Sequence, residues 1–164
     1  MPAASTNSIT PFELAKTVKV ILLYGKTRCD DVVELLDRKA RLYNVKLRYI
    51  LINTQPTDVQ SWVLRDDMEI INRSCYNFKG ELSSKYKSKF MDEECCLLFA
   101  ISGTYSKILE DVADRTVAKY KVGPKFEKSL IKYDMAFKAD GVMKNYEMVE
   151  NIMEHLRSFS GYGK

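Results

Sequence analysis

The sequence predicts an α/β fold with a parallel sheet at its centre, and three observations lead to this prediction. The run from Val18 to Tyr24 is almost continuously apolar, which is typical of a strand covered on both faces. A segment with helical periodicity follows it, and a second strand pattern then extends to Ile52. A strand–helix–strand unit of this kind pairs its two strands in parallel.

The composition is that of a globular domain. The chain has 164 residues, of which 46% are hydrophobic and 29% are charged. We expect residues 1–16 to form a flexible N-terminal arm and residues 17–164 to form a single domain. No apolar run reaches the roughly 20 residues of a membrane helix, and the N-terminus lacks the basic and apolar regions of a secretory signal. We therefore expect a protein that is cytoplasmic or lies within a virus particle, and that is neither secreted nor inserted in a membrane.

The first helix is predicted from Asp30 to Asn44. Asp30 and Asp31 place carboxylates at its positive end, and Asn44 suits a left-handed cap. Its apolar face is formed by Val32, Leu36, Ala40 and Tyr43. The second strand follows, with Val45, Leu47, Tyr49 and Leu51 in alternation.

The middle of the chain is predicted to contain a helix, a loop and a hairpin. Thr57 or Asp58 caps a helix after Pro56, and this helix carries Val59, Trp62 and Val63 and extends towards Ile70 and Ile71. The polar, lysine-rich stretch 77–94 is predicted as an inserted loop. Residues 95–101 form a third strand, which Gly103 turns towards an antiparallel neighbour at 105–109.

The last third of the chain contains one ambiguous segment. A short helix over 111–120 is predicted to end at Gly123-Pro124. Over 126–137, Phe126, Leu130, Tyr133 and Phe137 fit a helix, while Ile131, Tyr133, Met135 and Phe137 fit a strand, and both alternatives stay open. Asn145 caps the final helix, whose apolar face holds Val149, Ile152, Met153 and Leu156. Without insertions at about 77–94 and 111–144, the order of elements is β-α-β-α-β-β-α.

The turn after the first strand resembles one in a known superfamily. Lys26-Thr27-Arg28-Cys29 is similar to the Lys-Thr-x-Cys turn in the glutaredoxin branch of the thioredoxin/glutaredoxin superfamily, whose minimal core has the element order given above. The resemblance implies a thioredoxin-like fold, a nucleophilic Cys29 at a helix N-terminus, and Lys26 and Thr27 as glutathione-binding residues. Similar turns occur in glutaredoxin-like proteins of large cytoplasmic DNA viruses, which implies a virus-encoded relative.

The sequence departs from this superfamily at three points. Val32 stands where a second thiol is required, and the stretch 93–98 has no proline where the family has a cis-proline. Asp30 and Asp31 also raise the pKa of the Cys29 thiol. We therefore predict a decayed redox site and, as the leading function, a structural or scaffolding component without a cofactor.

Two functions remain in competition at this stage. In the leading hypothesis, the partners are other proteins of an assembly such as a virus particle, where the chain is a minor structural protein. In the alternative hypothesis, the chain is a monothiol glutaredoxin-like oxidoreductase with Cys29 as its catalytic residue and glutathione as its cofactor.

Other chemistries find less support in the sequence. Gly25-Lys26-Thr27 resembles the end of a phosphate-binding loop, but Val20 occupies the position of the required glycine. The four cysteines lack metal-ligand spacing and His155 is the only histidine, so we predict no metal site.

Nucleic acid is a possible but unfavoured partner. The Lys79–Phe90 segment interleaves lysines with aromatic residues, and a second lysine cluster over 119–132 would strengthen this interpretation if both clusters shared one face. The net charge of +4 permits nucleic-acid binding without indicating it.

Overall fold

The computed structural model describes residues 11–24, 30–58, 65–138 and 145–160. These residues form the elements β1 (Thr17–Tyr24), α1 (Asp30–Tyr43), β2 (Lys46–Asn53), β3 (Met68–Ile71), β4 (Leu97–Ile101), α2 (Lys107–Arg115), β5 (Tyr120–Lys125), β6 (Met135–Lys138) and α3 (Asn145–Ser160). Two short 3-10 helices, Phe12–Leu14 and Arg73–Cys75, complete the described structure.

The six strands form one sheet in the order β3-β2-β1-β4-β5-β6, and every neighbouring pair is parallel. β1 is central, with Val20 opposite Tyr49 of β2 on one side and opposite Phe99 of β4 on the other. This is the strand order of doubly wound α/β sheets. The predicted α/β class and the parallel pairing of β1 with β2 are confirmed.

One face of the sheet is covered by α1, α3 and the Phe12–Leu14 turn, and we call it the helical face. Its core holds alternate residues of the strands together with Leu36 of α1 and Val149 of α3. Phe12 is fully buried here, with its ring centroid 6.2 Å from that of Phe99. The part of the predicted N-terminal arm that the structure describes, residues 11–16, therefore packs against the core.

The opposite face is covered by α2 and by two irregular segments, 72–96 and 126–134, and we call it the loop face. Ile21, Ile50 and Leu98 of the strands pack there against α2 and against apolar residues of the segments. The connection from β1 to β2 and the connection from β4 to β5 run in opposite directions along the sheet. When both crossovers are right-handed, such connections lie on opposite faces. This explains why α1 and α2 lie on different sides.

Several predicted elements are confirmed. β1, α1, β2 and β4 lie where the apolar patterns place them, and α3 begins at Asn145. Asn44 has a φ of 57°, the left-handed conformation expected after α1. The predicted apolar face of α3 is buried.

The predicted hairpin is wrong. The stretch 105–109 does not form an antiparallel strand, because α2 begins at Lys107. The Ser106 hydroxyl accepts a hydrogen bond from the Leu109 amide at 3.2 Å and caps the helix, while Ile108 and Leu109 face the sheet. The β-α-β-α-β-β-α order is therefore not the order of this structure.

The predicted insertions belong to the fold itself. The stretch 77–94 lies within the connection from β3 to β4, and the stretch 111–144 includes part of α2 and all of β5 and β6. The predicted helix over 111–120 is wrong beyond Arg115, and Gly123-Pro124 lies inside β5. Proline is tolerated there because pairing of β4 with β5 ends at Phe99 opposite Val122, before the missing amide is needed.

Two further expectations are resolved in part. Ile70 and Ile71 belong to strand β3 rather than to a helix, while Val59, Trp62 and Val63 lie outside the described residues. In the ambiguous segment, Met135 and Phe137 are in strand β6, as the strand alternative requires.

Candidate functional site

The sheet topology points to the carboxyl ends of β1 and β4. β1 lies between β2 and β4, and the connections after β1 and β4 cross opposite faces of the sheet. Such a switch in direction leaves a crevice outside the strand ends, and open α/β sheets bind their ligands in this crevice.

The sequence-predicted site residues fall in the connection that begins at this crevice. Lys26, Thr27 and Cys29 lie between Tyr24, the last residue of β1, and Asp30, the first residue of α1. They are outside the described residues, so their predicted roles in catalysis and glutathione binding stay predictions. Asp30 and Asp31 are exposed in the first turn of α1.

The connection from β4 to α2 supplies hydroxyl groups to the same crevice. The buried Ser102 hydroxyl donates to the Thr104 carbonyl at 2.7 Å and accepts from the Thr104 amide at 3.2 Å. These partners are backbone groups, whereas an activated serine requires a side-chain base. Ser102 therefore shapes the connection and does not resemble a nucleophile.

The carboxyl end of β2 is closed by a polar network around Asn53, whose side chain is fully buried. Its amide nitrogen donates to the Thr57 carbonyl at 2.8 Å and to Asn72 Oδ1 at 2.9 Å, while its oxygen accepts from the Gln55 amide at 3.0 Å. Dinucleotide-binding sheets of this strand order carry an acidic ribose ligand downstream of a glycine-rich turn. Residues 25–30 of this sequence contain the single glycine Gly25, and strand order alone does not carry that function.

A buried lysine lies near the amino ends of the strands. Lys19 Nζ donates to the carbonyls of Met91 at 3.3 Å, Val117 at 2.9 Å and Glu93. These three bonds use all the donors of an ammonium group. Burial lowers the pKa of Lys19, and nearby acidic groups oppose this effect. Sequence reasoning overlooked this lysine, although it is the one charged residue within the apolar run of β1.

Lys19 lies beside a cleft of about 290 Å³, which Arg48 and Cys95 also line. Arg48 pairs with Glu93 across it at 3.7 Å. Burial raises the pKa of Cys95 to about 11, so this thiol is protonated at neutral pH. The cleft therefore contains a fully bonded ammonium group and an inert thiol.

Glu69 of β3 binds the first irregular segment of the loop face. Its buried carboxylate accepts hydrogen bonds from the Tyr86 hydroxyl at 2.6 Å, the Ser88 hydroxyl at 2.8 Å and the amides of Lys89 and Phe90 at 2.9 Å each. Burial, followed by the bond to Glu69, raises the pKa of Tyr86. The lysine-rich segment is thus held by a charge that sequence reasoning did not identify.

Glu110 of α2 has the corresponding role for the second segment. Its buried carboxylate accepts from the Ser129 hydroxyl at 2.5 Å and from the Leu130 amide at 3.3 Å. Tyr133 packs over Gly123 of β5 so closely that an added Cβ would lie 2.2 Å from the ring. Contacts with α2 and with β5 therefore fix the path of this segment.

The Lys79–Phe90 cluster and the end of the second cluster, with Lys128 and Lys132, lie on the irregular segments of the loop face, while Lys121 and Lys125 belong to strand β5. Residues 73–90 contain five basic side chains and one acidic side chain, and so do residues 119–132. Among the aromatic residues of 73–90, Phe90 is 3% exposed and Tyr86 is bound to Glu69, whereas Phe78 is largely exposed. The same irregular segment also contains Asp92, Glu93 and Glu94, so acidic side chains lie directly beside the lysine-rich stretch in the sequence.

The remaining predicted features are ordinary. His155 is exposed on α3, where its Nδ1 lies 2.9 Å from the Asn151 carbonyl. Among the described residues, no group of three or more His, Cys, Asp or Glu side chains has the arrangement of a metal site. Helices in the described ranges all fall short of the length and apolarity needed to cross a membrane.

Comparisons with known proteins add no relative to this description. No family model, no curated protein and no solved structure matches the chain. The geometry of the molecule is therefore the basis for the proposals that follow.

Proposed function

We propose that the chain is a non-catalytic structural component of a larger assembly, such as a virus particle, and that it binds its partners through the loop face. The observation that carries the proposal is the set of hydrogen-bond partners of three buried charged side chains. Lys19, Glu69 and Glu110 all bind groups of irregular segments on this face, Lys19 through the Met91 carbonyl. The fold thus uses costly buried charges to fix the shape of a surface.

The shape of this surface also suits a macromolecule better than a small substrate. A cleft of about 580 Å³ on the loop face is lined by polar side chains, including Ser83, Asn77 and Arg115. Small-molecule sites are mostly apolar and enclosed. Phe78 and Leu130, at 86% and 81% exposed, also stand out from this face as large apolar side chains.

The test is the size of the protein in extracts of its native source, combined with lysine cross-linking. We expect the chain to elute well above its own 18.9 kDa, with cross-links concentrated on residues 79–89 and 119–132. Elution at the mass of a single chain, without cross-links to another chain, would contradict the proposal.

A second candidate is the monothiol glutaredoxin-like oxidoreductase, with Cys29 as nucleophile and glutathione held by Lys26 and Thr27. The observation that favours it is that α1 begins at Asp30, the residue after Cys29 in the sequence, since a helix N-terminus stabilises a thiolate. With this candidate we also propose a thioredoxin-like relationship, which rests on the β1–α1–β2 unit. An alkylation pKa for Cys29 near or above the usual 8.5 would eliminate it.

A further inference from the structure

The two edges of the sheet are protected to different degrees. At the β3 edge, the Lys89 side chain donates to the Asp66 carbonyl at 2.8 Å. The Tyr86 hydroxyl lies 3.5 Å from the Ile70 carbonyl of the same edge. At the β6 edge, no side chain or loop of the described ranges makes a hydrogen bond to the outer backbone groups. An open strand edge can pair with a strand of another chain.

The direction of the backbone groups of β6 follows from its pairing with β5. The Asp134 amide, directly before β6, donates to the Lys121 carbonyl at 2.9 Å. Backbone groups of successive residues in a strand point alternately to its two sides, so Ala136 also bonds towards β5, where it lies opposite Gly123. The amide and carbonyl groups of the residues on either side of Ala136 therefore point outward. Each of these two residues offers one donor and one acceptor at the open edge.

The sequence of this edge is complementary to itself. From 134 to 138 it is acidic, apolar, small, apolar and basic, namely Asp134, Met135, Ala136, Phe137 and Lys138. If a second copy runs antiparallel with the two Ala136 residues opposite each other, Asp134 lies opposite the partner's Lys138. Met135 then lies opposite the partner's Phe137, and these two residues exchange both of their outward hydrogen bonds. A shift of the register by two residues would lose both charge pairs.

We propose that β6 pairs in antiparallel orientation with β6 of a second copy of this chain. The two-fold axis passes between the two Ala136 residues, and the two six-stranded sheets become one continuous sheet. The contact is isologous and closed, so it yields a dimer and not a filament. It leaves the loop faces of both copies uncovered and on the same side of the dimer, and it is independent of the proposed function.

The surroundings of β6 leave room for this partner. α3 packs on α1, on β4 and on the Phe12–Leu14 turn, which places it towards the middle of the sheet. Ala136 is exposed and small, as a position on the two-fold axis requires, because the side chains of a non-hydrogen-bonded pair lie close together. Met135 and Phe137 are half-buried against the helical-face core, and pairing covers more of their surface.

Asp134 is able to form the cross-strand charge pair. One of its carboxylate oxygens accepts from the Lys121 amide at 2.7 Å, and the other oxygen has no partner among the described residues. The Asp134 side chain is exposed, as is Lys138. Self-complementarity of charge, of apolar side chains and of backbone groups at one edge favours a second copy over an unrelated extended peptide.

The test places charges on the two-fold axis. In Ala136→Glu and in Ala136→Lys, like charges meet across the axis, so each variant alone should dimerise at least about tenfold more weakly than the wild type. An equimolar mixture of the two variants should recover the dimer, because Glu then meets Lys. Ser84→Glu and Ser84→Lys, at an exposed position of the loop face, are the matched controls and should behave as the wild type does.

Sedimentation velocity supplies the measurement, and circular dichroism verifies that the variants fold. We expect the wild type at about 100 μM to sediment with twice its 18.9 kDa, since this concentration detects a weak interface. Ala136→Cys gives a second measurement, because two cysteines opposite each other in a non-hydrogen-bonded pair have a spacing that suits a disulfide. Mild oxidation should link its two chains, and it should not link those of Ser84→Cys or of the wild type.

Three results would overturn this inference. They are a wild type that is monomeric at this concentration, a mixture of the folded charge variants that does not recover the dimer, and an Ala136→Cys protein that links no better than Ser84→Cys. The first and third results decide the matter even if the charge variants do not fold. A pure monomer that occurs in a large complex in native extracts would contradict the pairing of β6 and leave the proposed function standing.

Discussion

The two faces of the sheet are stabilised in different ways. The helical face is covered by two amphipathic helices of 14 and 16 residues, and its core is formed by alternate apolar residues of the strands. The loop face has the nine-residue α2 and two irregular segments, which buried charges hold in place. Regular helices satisfy their own backbone groups, whereas irregular segments need side-chain partners.

This difference indicates where function lies. A helical face can be rebuilt from many apolar residues of similar volume, but a loop face depends on a few individual hydrogen bonds. Connecting segments on a rigid scaffold are also where binding residues concentrate. These differences are the reason why we propose the loop face as the binding surface, with the helical face as its support.

The largest effect is expected at Phe12 on the helical face. Phe12→Ala removes a fully buried ring that stacks on Phe99, and we expect a loss of about 3–5 kcal/mol in the free energy of unfolding. Leu14→Ala is the matched control in the same turn, because Leu14 is 58% exposed and should change stability by less than about 0.5 kcal/mol. Urea denaturation measures both. Equal small losses would show that residues 11–16 do not contribute to the core.

A smaller loss is expected from Glu69→Ala on the loop face. The substitution leaves the buried Phe90 amide and its neighbours without their acceptor, which costs about 3 kcal/mol. Glu69→Gln should cost less, because an amide oxygen still accepts from the backbone. Glu34→Ala, at an exposed position of α1, serves as the control.

Hydrogen exchange distinguishes this loss from general destabilisation. In Glu69→Ala, the amides of Lys89 and Phe90 should exchange faster, while those of α1 keep their order of protection. Uniform acceleration across both faces would mean that Glu69 does not act specifically on the lysine-rich segment.

The same contrast explains how much of the fold the sequence predicts. β1 and β4 are recognisable because both faces of a central parallel strand are apolar. Ile70 and Ile71 of β3 are predicted as helix because four residues are too few to show a period of two. Only the first turn of α2 is predicted as strand, because the sequence does not mark Ser106 clearly as a cap, while residues 111–115 are helical as predicted. β5 contains Gly123 and Pro124, which normally mark a turn.

The sequence drew attention to the connection that follows β1, but it gave no indication of the buried carboxylates of the loop face. In the sequence, Cys29 lies between the apolar strand β1 and the acidic start of α1, and its predicted role stays a prediction. Glu69 and Glu110 gave no local signal, because their partners lie 17 to 21 residues away along the chain. Such contacts depend on how the strands are connected. The predicted hairpin at 105–109 gave a wrong connection, so these contacts could not be foreseen.

The third prediction concerns the packing of Tyr133 on β5. Gly123→Ala places a methyl group against the Tyr133 ring, and we expect it to cost about 1–3 kcal/mol because the ring must move. In a Tyr133→Ala background the same substitution should cost less than about 0.5 kcal/mol. Thermal unfolding of the four proteins in this cycle supplies the coupling energy. Additive losses would show that the ring does not constrain position 123.

The smallest effect is expected for the reactivity of the adjacent cysteines Cys95 and Cys96, whose thiols face opposite sides of the chain. Burial raises the pKa of Cys95 to about 11. Burial would also raise the pKa of Cys96, but hydrogen bonds from Thr17 and Lys16 outweigh it and lower that pKa. Iodoacetamide should therefore modify Cys96 before Cys95 in the native protein. Preferential modification of Cys95 would contradict the burial of its thiol.

The Cys95 pKa also has a consequence for stability. A thiol whose folded pKa is raised stabilises the protein fully below its unfolded pKa of about 9, and this contribution is lost as pH rises to about 11. Lys19, whose pKa is lowered by burial, has the opposite effect, so the informative quantity is the difference between the wild type and Cys95→Ala. The free energy of unfolding should fall more steeply in the wild type between pH 9 and 11. Parallel curves would mean that Cys95 titrates as freely as in the unfolded chain.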